Sequence, residues 1–310
     1  MSDKKNTFLF PSQPFLSGKP YWVQLVVLFF LTLFCMILFS ATSGIAARII
    51  YGNDILEAPT ASFYRFVQFF NAVGTFLVPA LLFAFLLERK WFSFNLACRS
   101  IHQPAVVALI LLLSFALLPV IGLLVTLNGM IHLPDSWAAV EQWMTKHEQA
   151  STLVLETMLN DTSVAILLLN LFLCAVLPAL CEEFFFRGTL QQLFQRWFGN
   201  AHVAIWSTAF IFSAIHLQFG GFFARWLLGA YLGYLFWWSQ SLWLPILAHL
   251  LHNAISILLQ FFISQSGITL PQETSLSAQL PVALLSLSLC AGLIFMVHKL
   301  LKSREPETTE

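Results

Sequence analysis

Long, uninterrupted apolar stretches dominate this sequence and restrict it to folds that can sit in a lipid bilayer. A helix needs about 20 apolar residues to cross ~30 Å of hydrocarbon. Eight stretches come near that length, at about residues 22–47, 63–87, 104–128, 163–181, 203–219, 222–238, 242–263 and 279–300. Because the apolar residues are continuous rather than alternating, the strands of an outer-membrane barrel are excluded. The sequence therefore predicts an all-α, polytopic membrane protein with about eight transmembrane helices.

The composition agrees with a membrane protein and excludes several other classes. Of the 310 residues, 58% are hydrophobic and only 10% are charged, which is too few charges for a soluble surface. The 15 basic residues balance the 15 acidic ones, so no basic surface is available to bind nucleic acid. The five cysteines are odd in number and form no Cys-x-x-Cys pair, which argues against a disulfide framework or a zinc knuckle.

The distribution of Lys and Arg predicts the orientation of the chain. Eleven basic residues fall in the N-terminal tail, the second and fourth loops and the C-terminal end, namely Lys4, Lys5, Lys19, Arg89, Lys90, Arg99, Arg187, Arg196, Lys299, Lys302 and Arg304. The opposite side holds four, Arg48, Arg65, Lys146 and Arg225. Cytoplasmic loops carry the excess of basic residues, so both termini are predicted to be cytoplasmic. The compact loops suit a multi-pass protein of the bacterial plasma (inner) membrane.

The chain divides into one membrane domain and two short tails. Residues 1–20 are expected to form a cytoplasmic N-terminal tail, residues 21–302 a single membrane domain, and residues 303–310 a polar C-terminal tail. The first apolar stretch is too long for a signal peptide and lacks a small-residue cleavage site, so we expect it to stay attached. Residues 135–159, in an outer connection, alternate apolar and charged side chains in a way that predicts an amphipathic helix on the outer leaflet.

Ionisable residues within the apolar stretches are concentrated in one third of the chain. Each costs about 2.5–3.5 kcal/mol at the centre of a bilayer, so their presence indicates function. Three clusters follow one another: Glu182-Glu183-x-x-x-Arg187, Phe212-x-x-x-His216 and His249-x-x-His252-Asn253. A structural role explains all three together poorly, although each alone has a simpler interpretation. The first could be a solvated helix end, a single His is often a hydrogen-bonded core residue, and His252 could be a ligand or a packing residue.

Helical spacing separates the roles of these residues. Glu183 and Arg187 are four residues apart and can form an ion pair on one helix face. Glu182 is rotated by about 100° from Glu183, so its carboxylate points elsewhere and is the freer base. His249 and Asn253 are also four apart, so both can act on one substrate group.

Counting from the predicted turns indicates the relative depth of the clusters. Glu182 precedes Asn200 by 18 residues and His216 follows it by 16, so an antiparallel hairpin places them nearly level. Both lie roughly 24–27 Å from the turn at Gly199-Asn200, whereas His249 lies only ~12 Å from the turn at Gln240-Ser241. The three clusters are therefore level only if the first hairpin protrudes by about eight residues into the cytoplasm.

At these residues the chain resembles the CPBP family of intramembrane endopeptidases, which process CAAX proteins and bacteriocins and are also called the Abi family. The family motifs Glu-Glu-x-x-x-Arg, Phe-x-x-x-His and His-x-x-x-Asn/Asp occur here intact and in order, and the resemblance covers about residues 160–262. The resemblance implies hydrolysis of a peptide bond in a membrane-associated protein or peptide. It implies that Glu182 is the general base, that His216 is its partner, and that His249 and Asn253 stabilise the oxyanion, with Glu183 and Arg187 as supporting residues.

A metal ion is the main open question about the chemistry. Family members have been described as metalloproteases, and Glu182, His216 and His249 have the ligand count of a catalytic zinc site with one position left for water. The sequence contains no His-Glu-x-x-His motif. If Glu182 bound the metal, the remaining base would be Glu183, which Arg187 is expected to occupy. We therefore favour a metal-independent glutamate mechanism with no cofactor, and keep zinc as the alternative.

Two other functions remain possible from the sequence. The same helices could form a non-proteolytic scaffold, such as an immunity or regulatory protein that holds a partner. Buried Glu and His residues also build the proton relays of transporters, although the chain lacks the inverted repeats with broken helices that many transporters have. Neither the substrate, including whether it is prenylated, nor the oligomeric state follows from the sequence.

Overall fold

The computed structural model describes residues 14–88, 103–161, 163–266 and 275–302, and this part of the chain contains helices and no strand. Its long helices are α1 (Tyr21–Tyr51), α2 (Ala61–Glu88), α3 (Pro104–Gly129), α4 (Ala138–Leu159), α5 (Val164–Phe198), α6 (Ala201–Ala214), α7 (Phe222–Ser239), α8 (Trp243–Ser266) and α9 (Leu276–Lys302). The predicted all-α, polytopic membrane fold is confirmed. The residues 1–13 and 303–310 of the predicted tails, and Cys98, lie outside the described residues.

Six of these helices are long and apolar enough to cross a membrane, namely α1, α2, α3, α5, α8 and α9. Each of the eight predicted stretches coincides largely with a helix, but the stretch 203–219 runs past the end of α6 at Ala214, and α6 and α7 are not among the six. Helix α6 has 14 residues and rises only about 21 Å, which is less than the thickness of the hydrocarbon core. In contrast, α5 continues for 35 residues and extends well past the predicted end at residue 181.

The turn residues end the helices where the sequence predicts. Gly199 follows α5 in the left-handed conformation, with φ 63°, which glycine adopts without strain. The side chain of Asn200 then caps α6 by accepting hydrogen bonds from the backbone N–H groups of His202 and Val203. Gln240 ends α7 with φ 49°.

The two largest hydrophobic cores among the described residues join different sets of helices, and the functional residues come from both sets. One core joins α1, α2, α5 and α6 and includes Phe83, Phe186 and Phe212. The other joins α3, α7, α8 and α9 and includes Leu232 and Ala248. Since α5 and α6 belong to the first core and α8 to the second, a site built from all three helices lies at the seam between the two halves.

Two glycines let α7 approach its neighbours closely. A Cβ atom at Gly229 would lie 3.1 Å from the backbone of Ala209, and one at Gly233 would lie 2.9 Å from a methyl group of Ile205. The carbonyl groups of the same glycines accept hydrogen bonds from Arg187 and Gln191 of α5. Close packing of α7 therefore fixes the part of α5 that follows the glutamate pair.

The predicted amphipathic helix is present as α4, and a buried polar cluster holds its C-terminal end. Arg65 donates to the side chain of Asn170 at 2.9 Å and to the carbonyl of Met158 at 2.6 Å. Asn170 donates to the same carbonyl at 2.9 Å. This arrangement compensates the charge of buried Arg65 with the C-terminal carbonyls of a helix. The apolar side chains Trp137, Trp143 and Leu153 remain exposed.

Two arginines that entered the orientation count are not loop residues. Arg187 is fully buried and Arg65 is 7% exposed, because each has partners inside the helix bundle. Leaving both out of the count gives ten basic residues on the predicted cytoplasmic side and three on the opposite side. The predicted orientation is unchanged.

The orientation gives a labelling prediction. Single cysteines placed on α4, for example at Gln149, are expected to react with an impermeant maleimide added to intact cells, because the basic-residue distribution puts this helix outside. Cysteines placed next to Arg196 should react only after the membrane is opened. Outside labelling of the Arg196 positions in intact cells would reverse the orientation.

Candidate active site

The structure brings the three clusters together around the carboxylate of Glu182. Glu182 lies on α5, His216 lies just after the end of α6, and His249 lies in the second turn of α8. Oε2 of Glu182 is 4.0 Å from Nε2 of His216 and 4.0 Å from Nε2 of His249. The three clusters therefore lie together, which the residue count allowed only if the hairpin of α5 and α6 extends further from the site than the start of α8 does.

Glu183 binds two partners, of which only one was expected. Its Oε1 atom accepts a hydrogen bond from Arg187 Nη1 at 2.6 Å and lies 2.8 Å from Nδ1 of His249. Both Glu183 and Arg187 are 0% exposed, so the interpretation as a solvated helix end is wrong for this pair. Arg187 also donates to the carbonyl of Gly229 at 2.8 Å. Glu183 thus links the arginine to the imidazole of His249, a contact between residues 66 positions apart.

His216 is held by the phenylalanine of its own motif. Its Nδ1 atom lies 2.6 Å from the carbonyl oxygen of Phe212, one turn earlier. The ring of Phe212 packs edge-on against both His216 and His249, at centroid distances of 5.0 and 5.9 Å. Leu217 then turns the chain with φ 53°, an uncommon conformation for a leucine. Phe212 therefore orients His216 with its carbonyl and contacts both imidazoles with its ring.

The partners of the two histidines determine which ring nitrogen carries a proton. A backbone carbonyl and a carboxylate can only accept, so Nδ1–H is the donor in both His216 and His249. In the neutral form each Nε2 then carries a lone pair directed at Glu182. With Nδ1–H donating to these acceptors, an imidazole can donate from Nε2 only as the imidazolium.

Asn253 lies one turn beyond His249 on α8, as their spacing of four residues predicted. It lines a groove between α4 and α8 together with Gln218, which follows His216 by two residues. The neighbouring His252 has a buried Nδ1 atom without a hydrogen-bond partner among the described residues. Outside the site, His202 contacts the hydroxyl of Tyr234 and Arg225 donates to the side chain of Gln218.

The donor set fits a zinc ion by chemical type. Glu182, His216 and His249 offer one carboxylate oxygen and two imidazole nitrogens, and the Nδ1–H groups are held by acceptors in the manner usual for metal-binding histidines. Tetrahedral zinc with bonds of about 2.0–2.1 Å requires donors roughly 3.3 Å apart, which is shorter than the separations of 4.0 Å found here. The described residues contain no group of three His, Cys, Asp or Glu already arranged for a metal.

Comparison with known proteins identifies the same part of the chain. Residues 164–255 match the sequence model of a family described as type II CAAX prenyl endopeptidase Rce1-like. "Uncharacterized protein YpbD" of Bacillus subtilis (strain 168) is 25% identical over 124 residues, or 38% of this chain. The aligned part spans 57% of that relative's length. No solved structure matches the chain significantly.

The matched segment contains all seven residues of the three motifs, Glu182, Glu183, Arg187, Phe212, His216, His249 and Asn253. Five of them are connected in the structure through Glu182 and Glu183. The resemblance inferred from the motifs is therefore confirmed by the match of residues 164–255 to the Rce1-like, type II CAAX prenyl endopeptidase family, which is part of the CPBP family.

Proposed function

We propose that this protein is an intramembrane endopeptidase that hydrolyses a peptide bond of a membrane-associated protein or peptide with water activated by Glu182. The observation that carries the proposal is the arrangement of Glu182, whose Oε2 is equidistant from two oriented imidazoles. The match to a family of CAAX-type endopeptidases supports the same activity. We place the protein in the bacterial inner membrane, with both termini cytoplasmic.

The first step is activation of water. A separation of 4.0 Å is too long for a direct hydrogen bond, but a single water with hydrogen bonds of about 2.8 Å can contact Glu182 and His216 together. Glu182 takes a proton from this water, and His216, whose Nε2 accepts a second hydrogen bond, orients it. The resulting hydroxide adds to the scissile carbonyl carbon.

The second step is stabilisation and collapse of the tetrahedral intermediate. His249 as the imidazolium, held by Glu183, donates from Nε2 to the oxyanion, and the side-chain amide of Asn253 supplies a second donor from one turn further along α8. The C–N bond then breaks, and the leaving amine takes the proton from Glu182. Glu183 and Arg187 act as positioning residues, since they act through His249.

The alternative cofactor is zinc, which Glu182, His216 and His249 would hold. Zinc would lower the pKa of a bound water and make it nucleophilic near neutral pH. We favour the metal-independent mechanism because zinc binding by Glu182 would require another base, and Glu183 is already bound to Arg187 and His249 and so is not free to replace it.

The metal-independent mechanism predicts resistance to chelation. Purified protein dialysed against EDTA or 1,10-phenanthroline is expected to keep its activity and to carry well under one zinc per chain by elemental analysis. Addition of zinc should not increase turnover. Stoichiometric zinc whose removal abolishes activity reversibly would instead establish the zinc mechanism.

Asn253 gives a further prediction. Asn253→Ala is expected to cost about 2.7–4 kcal/mol of activation free energy, as the loss of one oxyanion donor does elsewhere, with little change in KM. The reason is that the amide meets the carbonyl oxygen only as negative charge develops on it. Normal turnover of this variant would remove Asn253 from the catalytic residues.

The experiment that tests the function is mass spectrometry of new N-termini in membranes from cells that produce the wild-type protein or Glu182→Gln. Peptides cleaved only in the presence of wild-type protein would identify both activity and substrate. A scaffold or a transporter would give identical patterns in the two samples. The matched control is Glu141→Gln, which makes the same chemical change on α4 at a residue whose described partner is His132.

A further inference from the structure

A groove next to the active site is built from two facing helices. It has a volume of about 490 Å³. From α4 it is lined by one continuous face, with the spacing i, i+3, i+4, i+7, i+8 and i+11: Glu148, Ser151, Thr152, Leu155, Glu156 and Leu159. Such spacing means that a single side of the amphipathic helix faces the groove.

The other wall of the groove is a face of α8 that lies C-terminal to His249. Asn253, Ser256, Ile257 and Gln260 line it from α8, and these residues follow His249 by 4, 7, 8 and 11 positions, so they continue the same helix face. The segments that carry the other two site residues also contribute, with Cys174 on the helix of Glu182 and Gln218 two residues after His216. The groove therefore adjoins the site of the reaction.

The lining of this groove is more polar than expected beside a helix that can cross a membrane. Helix α8 is long and apolar enough to cross a membrane, yet three of its four lining residues carry amide or hydroxyl groups. An extended peptide at membrane depth must find hydrogen-bond partners for its backbone, because lipid offers none. A lipid chain gains nothing from such partners. The lining thus suits an unwound polypeptide segment, which is the form in which a peptide bond can be attacked.

The acidic residues of the groove favour a substrate segment with a basic side chain. Glu148 and Glu156 are eight residues apart on the same face of α4, and none of the described lining residues is Lys, Arg or His. Glu148 accepts a hydrogen bond from the backbone of Gly220 at 3.0 Å, whereas the side chain of Glu156 is exposed. Arg65 and Asn170 hold the carbonyl of Met158, two residues beyond Glu156, and so keep this wall in place.

We propose that the groove between α4 and α8 holds an extended substrate segment on one side of the scissile bond, and that Glu156 selects a basic side chain in that segment. This inference rests on the proposed peptidase function and specifies its substrate. The substrate is a membrane-associated polypeptide with Lys or Arg within a few residues of the cleaved bond, on the side that lies along α8.

The test compares cleavage sites, by mass spectrometry of new N-termini, in membranes that contain wild-type protein, Glu156→Gln, Glu156→Lys or the control Glu141→Lys. Sites that depend on Glu182 should be enriched in Lys or Arg on one side. A partly exposed ion pair is worth about 0.2–1 kcal/mol, so Glu156→Gln should lower cleavage of those sites by a factor of about 1.4 to 5. Glu156→Lys should favour sites with Asp or Glu instead, and Glu141→Lys should keep the wild-type pattern.

The outcomes separate this inference from the function on which it rests. Sites that depend on Glu182 but show no basic enrichment, or an enrichment that both Glu156 variants leave unchanged, would overturn the groove assignment and leave the peptidase activity standing. The absence of any site that depends on Glu182 would overturn both. Because Glu156 is exposed, we expect its variants to fold, and thermal unfolding of each purified variant checks this.

Discussion

Replacing Glu182 with Gln is expected to lower kcat/KM by about 10²–10⁴, the usual contribution of a positioned general base, while the protein remains folded. The amide keeps the shape of the carboxylate but cannot accept a proton from water. Among the residues that the structure describes, the carboxylate of Glu182 has no direct hydrogen-bond partner, and both histidines lie 4.0 Å from it. Its replacement by the amide should therefore leave the packing of α5 unchanged. Its effect is therefore expected in activity and not in stability.

This prediction is measured with a purified peptide that contains a cleavage site identified in membranes. Turnover of Glu182→Gln is compared with that of wild-type protein, and thermal unfolding of both is followed by tryptophan fluorescence. Glu141→Gln serves as the matched control. Activity within threefold of wild type would show that Glu182 is not the base and would leave the water without a proton acceptor in the proposed mechanism.

The helices and the pairings within one helix could be predicted from the sequence because they depend on local properties. Continuous apolar stretches specify helices, Gly199 and Asn200 specify the turn between α5 and α6, and a spacing of four places Glu183 beside Arg187. Residue counting from the turns placed His216 level with Glu182, and placed His249 level with them on the condition that the hairpin of α5 and α6 protrudes by about eight residues. Each of these inferences uses only helix geometry and distances along the chain.

Contacts between helices that are distant in sequence could not be predicted in this way. The hydrogen bond between Glu183 and His249 depends on how α5 and α8 are rotated about their axes, and the burial of Arg65 depends on the end of α4. The groove along Asn253 likewise arises only when α4 packs beside α8. From the sequence, Arg187 is the expected partner of Glu183, and nothing in the spacing identifies His249 as the second.

Breaking the buried ion pair between Glu183 and Arg187 is expected to have the largest effect on stability. Arg187→Met leaves the carboxylate of Glu183 buried and without its guanidinium, which typically costs 3–5 kcal/mol, so we expect the free energy of unfolding to fall by about that amount. Glu183→Leu should have a similar effect, because it leaves a fully buried arginine without its carboxylate. Unfolding by SDS, followed by tryptophan fluorescence, measures both changes.

The double variant Glu183→Leu/Arg187→Met separates packing from catalysis. With neither charge present, no unpaired ion is buried, so most of the lost stability should return, as it does when buried ion pairs are replaced by apolar residues of similar volume. Activity should stay low, because Nδ1 of His249 has lost its acceptor (2.8 Å in the wild-type protein) and the imidazolium its counter-charge. If the stable double variant regained full turnover, Glu183 would be only a packing partner of Arg187, and His249 would need no carboxylate to act on the oxyanion.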